Sequence, residues 1–408
     1  MTTTDDPTRS PAHQALMQVA EQAAQALAGR SREIEALRRL PDDIADSLAG
    51  AGLYRLLTPA AYGGHEAPPG SFFLLIERLA RADAASAWCC FISCTASVLA
   101  AYLPAASAQP IFSQPDLKAA GVFAPRGRAV LAEQAGVAGL HITGRWAWGS
   151  GAHNAHVISA GCLLMGPGGQ PELGSDGTAR VISVLLDRAQ VQLHDNWDSF
   201  GLCGTGSGEF EVHNAFVPLG RCASLFDAPV LGTPLYRFPV FGLLAVAIAA
   251  VASGIAQEAL DAFIHQAGRS VPQAGSKPLA AKATVQAAVA QAEASVQSAR
   301  AYLLASIHSA WLAAQQASAD NANGNTSALP LHCRRDLRLA ATHAVHSAVA
   351  VVTRLYTLAG GSAVFADAPL QRCLRNVQVA SQHMMVSEAT YELTGRLLLG
   401  QPTQTSML

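Results

Sequence analysis

The stretch Tyr356–Arg396, YTLAGGSAVFADAPLQRCLRNVQVASQHMMVSEATYELTGR, decides how this chain is read. It predicts a helix that ends at Gly360-Gly361, a short loop, and a second helix restarted by Pro369. Paired glycines permit positive φ or a close backbone approach, and proline suits the first turn of a helix. Arg372, Arg375 and His383 follow among Ala, Val and Met residues. A lone histidine on an apolar helix reads either as a satisfied core or interface residue or as a site residue.

Working outward, the C-terminal part predicts four long Ala-rich helices, at 241–267, 278–316, 331–358 and 369–399, and hence a four-helix bundle. The polar run Ser318–Ser327, SADNANGNTS, reads as a solvated connector. Residues from about 11 to 117 also read helical: Asp42 and Asp43 sit in a first turn, where the helix dipole favours acids. Between the two helical parts the texture changes to short extended patterns, at 119–124, 139–148, 157–165, 181–186, 191–193 and 209–216. Turn signals separate them at Pro125-Arg126-Gly127 and at 166–177. The expected organisation is α+β: an N-terminal helical domain (1–117), a central β-barrel or sandwich domain (118–230) and a C-terminal four-helix bundle (231–408).

The composition agrees with extensive burial. Hydrophobic residues make up 50% of the 408 and charged residues 14%, so faces are buried within the chain and between chains of an oligomer. A net charge of −2 offers no basic face for nucleic acid. The opening MTTTDDPTRSPAHQ lacks the apolar run of a secretory signal. Phe241–Ile255 is strongly apolar but falls short of the ~18–20 residues of a membrane span, so a buried core helix is expected. Eight cysteines without a C-x-x-C pair read as buried thiols in a reducing cytoplasm.

Two further stretches could carry chemistry. In GRWAWGS, Gly144–Ser150, strand alternation would put Trp146, Trp148 and Ser150 on one face. This suits a flat heteroaromatic ligand, and equally a core tryptophan pair before a turn. In WDSFGLCGTGS, Trp197–Ser207, a Gly/Thr/Ser turn could hold a ligand through NH and OH groups or be an ordinary β-turn cluster. His153 and His156, like His343 and His346, lack the companion ligands of a metal site, and no metal is expected.

In this order and spacing, LPDDIADSLAGAGLYRLLTPAAYGG, GRWAWGSG, WDSFGLCGTGSGEFEVHNAFVP and LAGGSAVFADAPLQRCLRNVQVASQH resemble the acyl-CoA dehydrogenase fold over nearly the whole chain. The fold has two branches: dehydrogenases with tightly held FAD and a carboxylate base, and flavin-dependent monooxygenases. Many dehydrogenases carry Gly-Gly, Arg-Asp and then Tyr-Glu-Gly-Thr. Aligning Gly360-Gly361 and Arg375-Asn376 with those pairs puts His383 on the Tyr and Met384 on the catalytic Glu, and a thioether cannot abstract a proton. Glu392 lies two helical turns further on, ~12 Å away on a continuous helix. Tyr356 stands where many dehydrogenases use Gln for the adenine half of FAD.

The segment Ala368-Pro369-Leu370-Gln371-Arg372 … Arg375-Asn376 … His383 and the strand Trp146 … Gly149-Ser150-Gly151 resemble the monooxygenase branch instead. Its members include phenol, dibenzothiophene and indole-type oxygenases and amino-sugar N-oxygenases. The resemblance implies the oxygenase component of a two-component enzyme. Reduced FMN or FAD from a separate NAD(P)H flavin reductase would react with O2 to a C4a-hydroperoxide that hydroxylates a small aromatic or heteroaromatic substrate, S- or N-oxidation being possible. It implies Ser150 near flavin N5 and His383 near the reactive edge of the ring as the catalytic pair. Trp148, Ser150, Gly151, Thr205, Ser207, Gly360, Gly361 and Arg375 would bind the cofactor. Trp88, Cys94, Phe123, Trp146 and Met384 are expected on the substrate side, in a cytoplasmic homotetramer. The alternatives are an acyl-CoA dehydrogenase-like FAD enzyme with Glu392 or another acid as base, and a non-catalytic flavin-fold protein.

Overall fold

A computed structural model describes residues 10–175, 177–269, 278–322 and 329–408. Six helices come first: α1 (Pro11–Leu27), α2 (Ser31–Leu37), α3 (Asp42–Gly50), α4 (Pro69–Ala82), α5 (Ala84–Ser97) and α6 (Ala105–Phe112). Seven strands follow: β1 (Ala119–Gln134), β2 (Val137–Trp146), β3 (Val157–Met165), β4 (Val181–Asp187), β5 (Gln192–Leu193), β6 (Phe210–Pro218) and β7 (Cys222–Ala223). The short α7 (Pro234–Arg237) leads into α8 (Val240–Arg269), α9 (Ala283–Ala322), α10 (Leu331–Ala359), α11 (Pro369–Ala380) and α12 (Ala389–Leu398).

The strands form one mixed seven-stranded sheet in the order β5-β6-β2-β1-β3-β4-β7. The register shows why the expected turn at 125–127 is absent. β1 runs straight through it, antiparallel to β2 and parallel to β3, with a shift between Val122 and Gly127. Pro125 has no N–H to give a ladder, so it sits in a bulge rather than ending the strand. A separate apolar core, with Trp146 and Phe210 at its centre, fills the sheet.

The N-terminal helices and the bundle share a second core, from Ile34 on α2 and Trp88 on α5 to Val377 on α11. Every position from Phe241 to Ala256 of α8 is buried, as expected of a helix apolar all round. Ala84–Ala101 and Val240–Arg269 are long and apolar enough to cross a membrane, yet 94% and 89% of their apolar windows are buried inside this fold. They are core helices here. Of the expected connector 318–327, α9 extends through Ala322; the remainder lies outside the described residues.

The expected helix at 369–399 is broken. α11 stops at Ala380, a 3₁₀ turn covers Met384–Val386, and α12 starts at Ala389. The cause is local. The His383 ring accepts the Met385 amide at 3.2 Å and thereby caps the turn, competing with the helical bond as a short-range side-chain acceptor does. His383 therefore stands at a helix break, and a helical ruler between it and Glu392 does not apply.

Candidate active site

The site grows from the start of α5. Asp83 caps this helix by accepting the Ser86 amide at 2.7 Å. Trp88 follows in the next turn, buried, and its indole Nε1 donates to Ser150 Oγ at 3.1 Å. Ser150 lies just past β2. That strand ends at Trp146, and Trp148 adopts φ 66°, a value uncommon for a bulky residue. The Ser150 amide folds back to the Trp148 carbonyl at 2.9 Å.

This kink overturns the alternation expected for the tryptophans. Trp146 is fully buried, stacks on Phe210 with centroids 5.1 Å apart and donates to the Gly161 carbonyl at 2.8 Å. It belongs to the sheet core and lines no substrate site. Trp148 is 64% exposed. Cys94 is likewise a core residue, its thiol directed at the Leu53 carbonyl. Phe123 is partly buried against the helical core.

Ser150 heads a chain of hydroxyls whose direction is forced. Ser150 Oγ is 2.6 Å from Ser207 Oγ, which is 2.6 Å from Thr205 Oγ1, which donates to the Leu202 carbonyl at 2.8 Å. A carbonyl only accepts and an indole N–H only donates. Thr205 spends its proton on Leu202, so Ser207 donates to Thr205 and Ser150 donates to Ser207. All three hydroxyls are buried. Ser150 thus has no proton left to offer and presents a lone pair.

The turn carrying this chain is clamped by three contacts with α11. Leu202 sits at φ 49°, and its amide donates to Asn376 Oδ1 on α11 at 2.8 Å. Gly201 lies so close to α11 that a Cβ there would be 2.2 Å from the Arg375 carbonyl oxygen. The Arg375 guanidinium donates to Gln371 Oε1 (2.7 Å), to the Phe200 carbonyl (3.0 Å) and, in a fork, to both carboxylate oxygens of Glu35 on α2 (2.9 and 3.1 Å). Asn376 therefore holds the turn, and Glu35 supplies the charge that pairs with Arg375. Arg375 acts here as a structural clamp, with its donors committed. The amide of Gly151 is also spent, on the Thr205 carbonyl at 2.9 Å.

His383 faces Trp88, with ring centroids 6.1 Å apart. It is half-buried. Burial, followed by the positive charge of Arg338, pushes its pKa down to about 4, so the ring is neutral near pH 7. Arg338 on α10 is 3% exposed and donates to the carbonyls of Met385 and Met407. Met384 is 64% exposed. Among the described residues no carboxylate makes a hydrogen bond or ion pair with the His383 ring, and the charge that acts on it is that of Arg338. Glu392 lies on α12 with its side chain 74% exposed and 3.8 Å from Arg396. Gly360 and Gly361 are open: a Cβ would meet nothing within 4 Å at either. A surface pocket of about 400 Å³ lies between α2 and α11, lined by Arg32, Glu35, Val364, Ala366, Gln371 and Arg375; it does not include Trp88, Ser150 or His383.

Two family profiles match the helical parts: "Acyl-CoA dehydrogenase, N-terminal domain" over residues 10–108 and "Acyl-CoA dehydrogenase, C-terminal domain" over residues 246–388. The chain is 30% identical over 374 residues to an indole-3-acetate monooxygenase of Pseudomonas putida, covering 91% of this chain and 90% of that protein. The chain belongs to the flavin-dependent monooxygenases of the acyl-CoA dehydrogenase fold.

This monooxygenase is also 28% identical to the oxygenase subunit HsaA of Rhodococcus jostii RHA1, covering 93% of this chain and 97% of that one. The crystal structure of the 3-HSA hydroxylase from Rhodococcus sp. RHA1 superposes with a TM-score of 0.82 at 25% identity, over 96% of this chain and 99% of that one. The monooxygenase is accordingly an oxygenase component of the two-component, flavin-dependent kind. Its site suits a reduced flavin on an observation of its own. A buried hydroxyl with a free lone pair sits two residues from an exposed indole held in a left-handed kink. That pairing offers an acceptor for a ring N–H and a flat apolar face for a tricyclic ring. Glu35 and Gly201 were not among the residues singled out in sequence, and Asn376 was read there only as the motif residue beside Arg375. Glu35 pairs with Arg375 across 340 positions, and no local pattern marks it.

Proposed function

We propose that this oxygenase component takes reduced FMN or FAD from a separate NAD(P)H flavin reductase and, with O2, hydroxylates a small aromatic or heteroaromatic substrate. S- or N-oxidation uses the same residues. The observation that carries this reading is that Trp88 contacts both Ser150, at the head of the polarised hydroxyl chain, and His383, whose ring feels the charge of Arg338 and, among the described residues, pairs with no carboxylate. The similarity to an indole-3-acetate monooxygenase favours an aromatic substrate.

Reduced flavin, when bound, would supply two electrons to O2, one oxygen atom going to the substrate and the other to water. The chain's residues do the rest. Trp148 offers a flat face to the ring. Ser150, its own proton committed to Ser207, accepts a ring N–H and keeps that proton from leaving. Gly151, Thr205, Ser207, Arg375 and Asn376 hold Ser150 and its turn in shape, and Gly360-Gly361 leave room for a ligand or a neighbouring chain. Trp88 and Phe123 exclude water on the substrate side, which matters because water and free protons divert activated oxygen to H2O2. Much buried alanine in long helices supports a homotetramer, and eight free thiols support a cytoplasmic setting.

The test is to load the protein with reduced flavin anaerobically, admit O2 and supply phenols, indoles, thioethers and amines in turn. Stoichiometric oxygenated product from an aromatic compound supports the reading. Oxygen consumption that yields only H2O2 across the whole panel, or no affinity for reduced flavin, overturns it.

A further inference from the structure

We infer that His383 serves this reaction as a fixed hydrogen-bond donor through Nε2, not as a base, and that the group it meets there is a lone-pair acceptor. The inference rests on the monooxygenase reading above for its reaction, and on geometry alone for its tautomer.

The Met385 amide donates to His383 Nδ1 at 3.2 Å. A backbone N–H can only donate, so Nδ1 must carry its lone pair there, and in the neutral ring the single proton is then on Nε2. The opposite tautomer would set two N–H groups against each other and uncap the Met384–Val386 turn. A base needs the Nε2 lone pair facing the substrate, which is the excluded tautomer. Protonating both nitrogens meets the same obstacle at Nδ1. The charged group acting on the ring, Arg338 from α10, opposes it further, while Trp88 from α5 is neutral. Nε2 makes no hydrogen bond among the described residues, and it is not sealed from solvent. His383 and Ser150, both in contact with Trp88, then play opposite parts: the histidine offers a proton and the serine a lone pair.

Two side chains separate the ring's functions. Asparagine at 383 puts an acceptor where Nδ1 stands, and glutamine puts an N–H donor where Nε2 stands. His383→Asn is expected to fold as wild type while product per O2 consumed falls about tenfold to hundredfold, the scale of one lost donor. His383→Gln should recover most of that coupling, and His383→Glu, which offers a base and no donor, should recover none. On flavin-free protein with 15N-labelled histidine, NMR should show a pyridine-like Nδ1, a pyrrole-like Nε2 and no protonation down to about pH 5. The inference is overturned by an Nδ1–H tautomer, by titration between pH 6 and 7, or by a Glu variant that couples better than the Gln variant. If wild type oxygenates nothing, the parent reading fails, and the NMR measurement still decides the tautomer.

Discussion

Asn376 on α11 accepts the Leu202 amide at 2.8 Å and so fixes, from the bundle, the turn whose carbonyl orders the hydroxyl chain under Ser150. The bond is buried and joins positions 174 residues apart. Asn376→Ala leaves that amide without a partner, which costs about 1–3 kcal/mol. Asn376→Asp keeps an acceptor oxygen in place and is expected to retain most of the stability. Thermal unfolding of the two variants checks this. Equal losses for Ala and Asp would remove the acceptor role.

Gly201 and Gly361 make a contrasting pair. A Cβ at 201 would fall 2.2 Å from the Arg375 carbonyl oxygen, whereas at 361 it would meet nothing within 4 Å. Gly201→Ala must therefore lift the turn off α11, at roughly 1–3 kcal/mol for a forced backbone shift, with loss of reduced-flavin affinity. Gly361→Ala should unfold like wild type. If Gly361→Ala nevertheless weakens flavin binding or the oligomer, measured by titration and sedimentation, the open glycines face a ligand or another chain.

Thr205→Val tests the direction of the hydroxyl chain. Valine matches the shape of threonine but removes the oxygen that accepts from Ser207. Ser207 then has Ser150 as its acceptor, and the Ser150 proton turns outward. Reduced flavin should bind more weakly in an anaerobic titration, and the H2O2 share of O2 consumed should rise several-fold. Ser150→Ala should raise that share further. Unchanged H2O2 in both variants would take the chain out of the reaction.

The pH dependence of stability follows from His383. Its folded pKa lies at about 4, against an ordinary value of 6.5. Between those values the unfolded chain binds a proton that the folded chain does not, so stability falls as pH drops through 6.5 toward 4 and is unaffected by this residue above about pH 7.5. His65 and His153 are lowered by burial in the same sense, so the measurement is a difference. Wild type should lose more thermal stability between pH 7 and 5 than His383→Asn. Parallel curves would show that the ring is not desolvated.

The order of the motifs carried the fold in the sequence, because each long helix and the β texture between them are written in local periodicity. The site was half legible. Ser150 and His383 both contact Trp88, but their hydrogen-bonding states depend on neighbours that no spacing reveals. Trp146 and Trp148 looked equivalent until the left-handed residue between strand and loop sent one into the core and the other to the surface. His383 looked helical because its neighbours are good helix formers; the ring's bond to the Met385 amide outweighs that preference. Pro125 looked like a turn because its missing N–H is a local fact, whereas the bulge that absorbs it belongs to two partner strands.

The fork between Arg375 and Glu35 has a consequence for how the protein is made. It closes a loop of 340 residues, an entropic cost of about 5 kcal/mol in a flexible chain, which grows only slowly with length. Contacts this distant in sequence come late in folding. During synthesis the Glu35 carboxylate on α2 emerges early and is without Arg375 until α11 leaves the ribosome, since chains are completed from the N-terminus. The turn that carries the hydroxyl chain thus gains its bonds to α11 only when nearly the whole polypeptide has been translated.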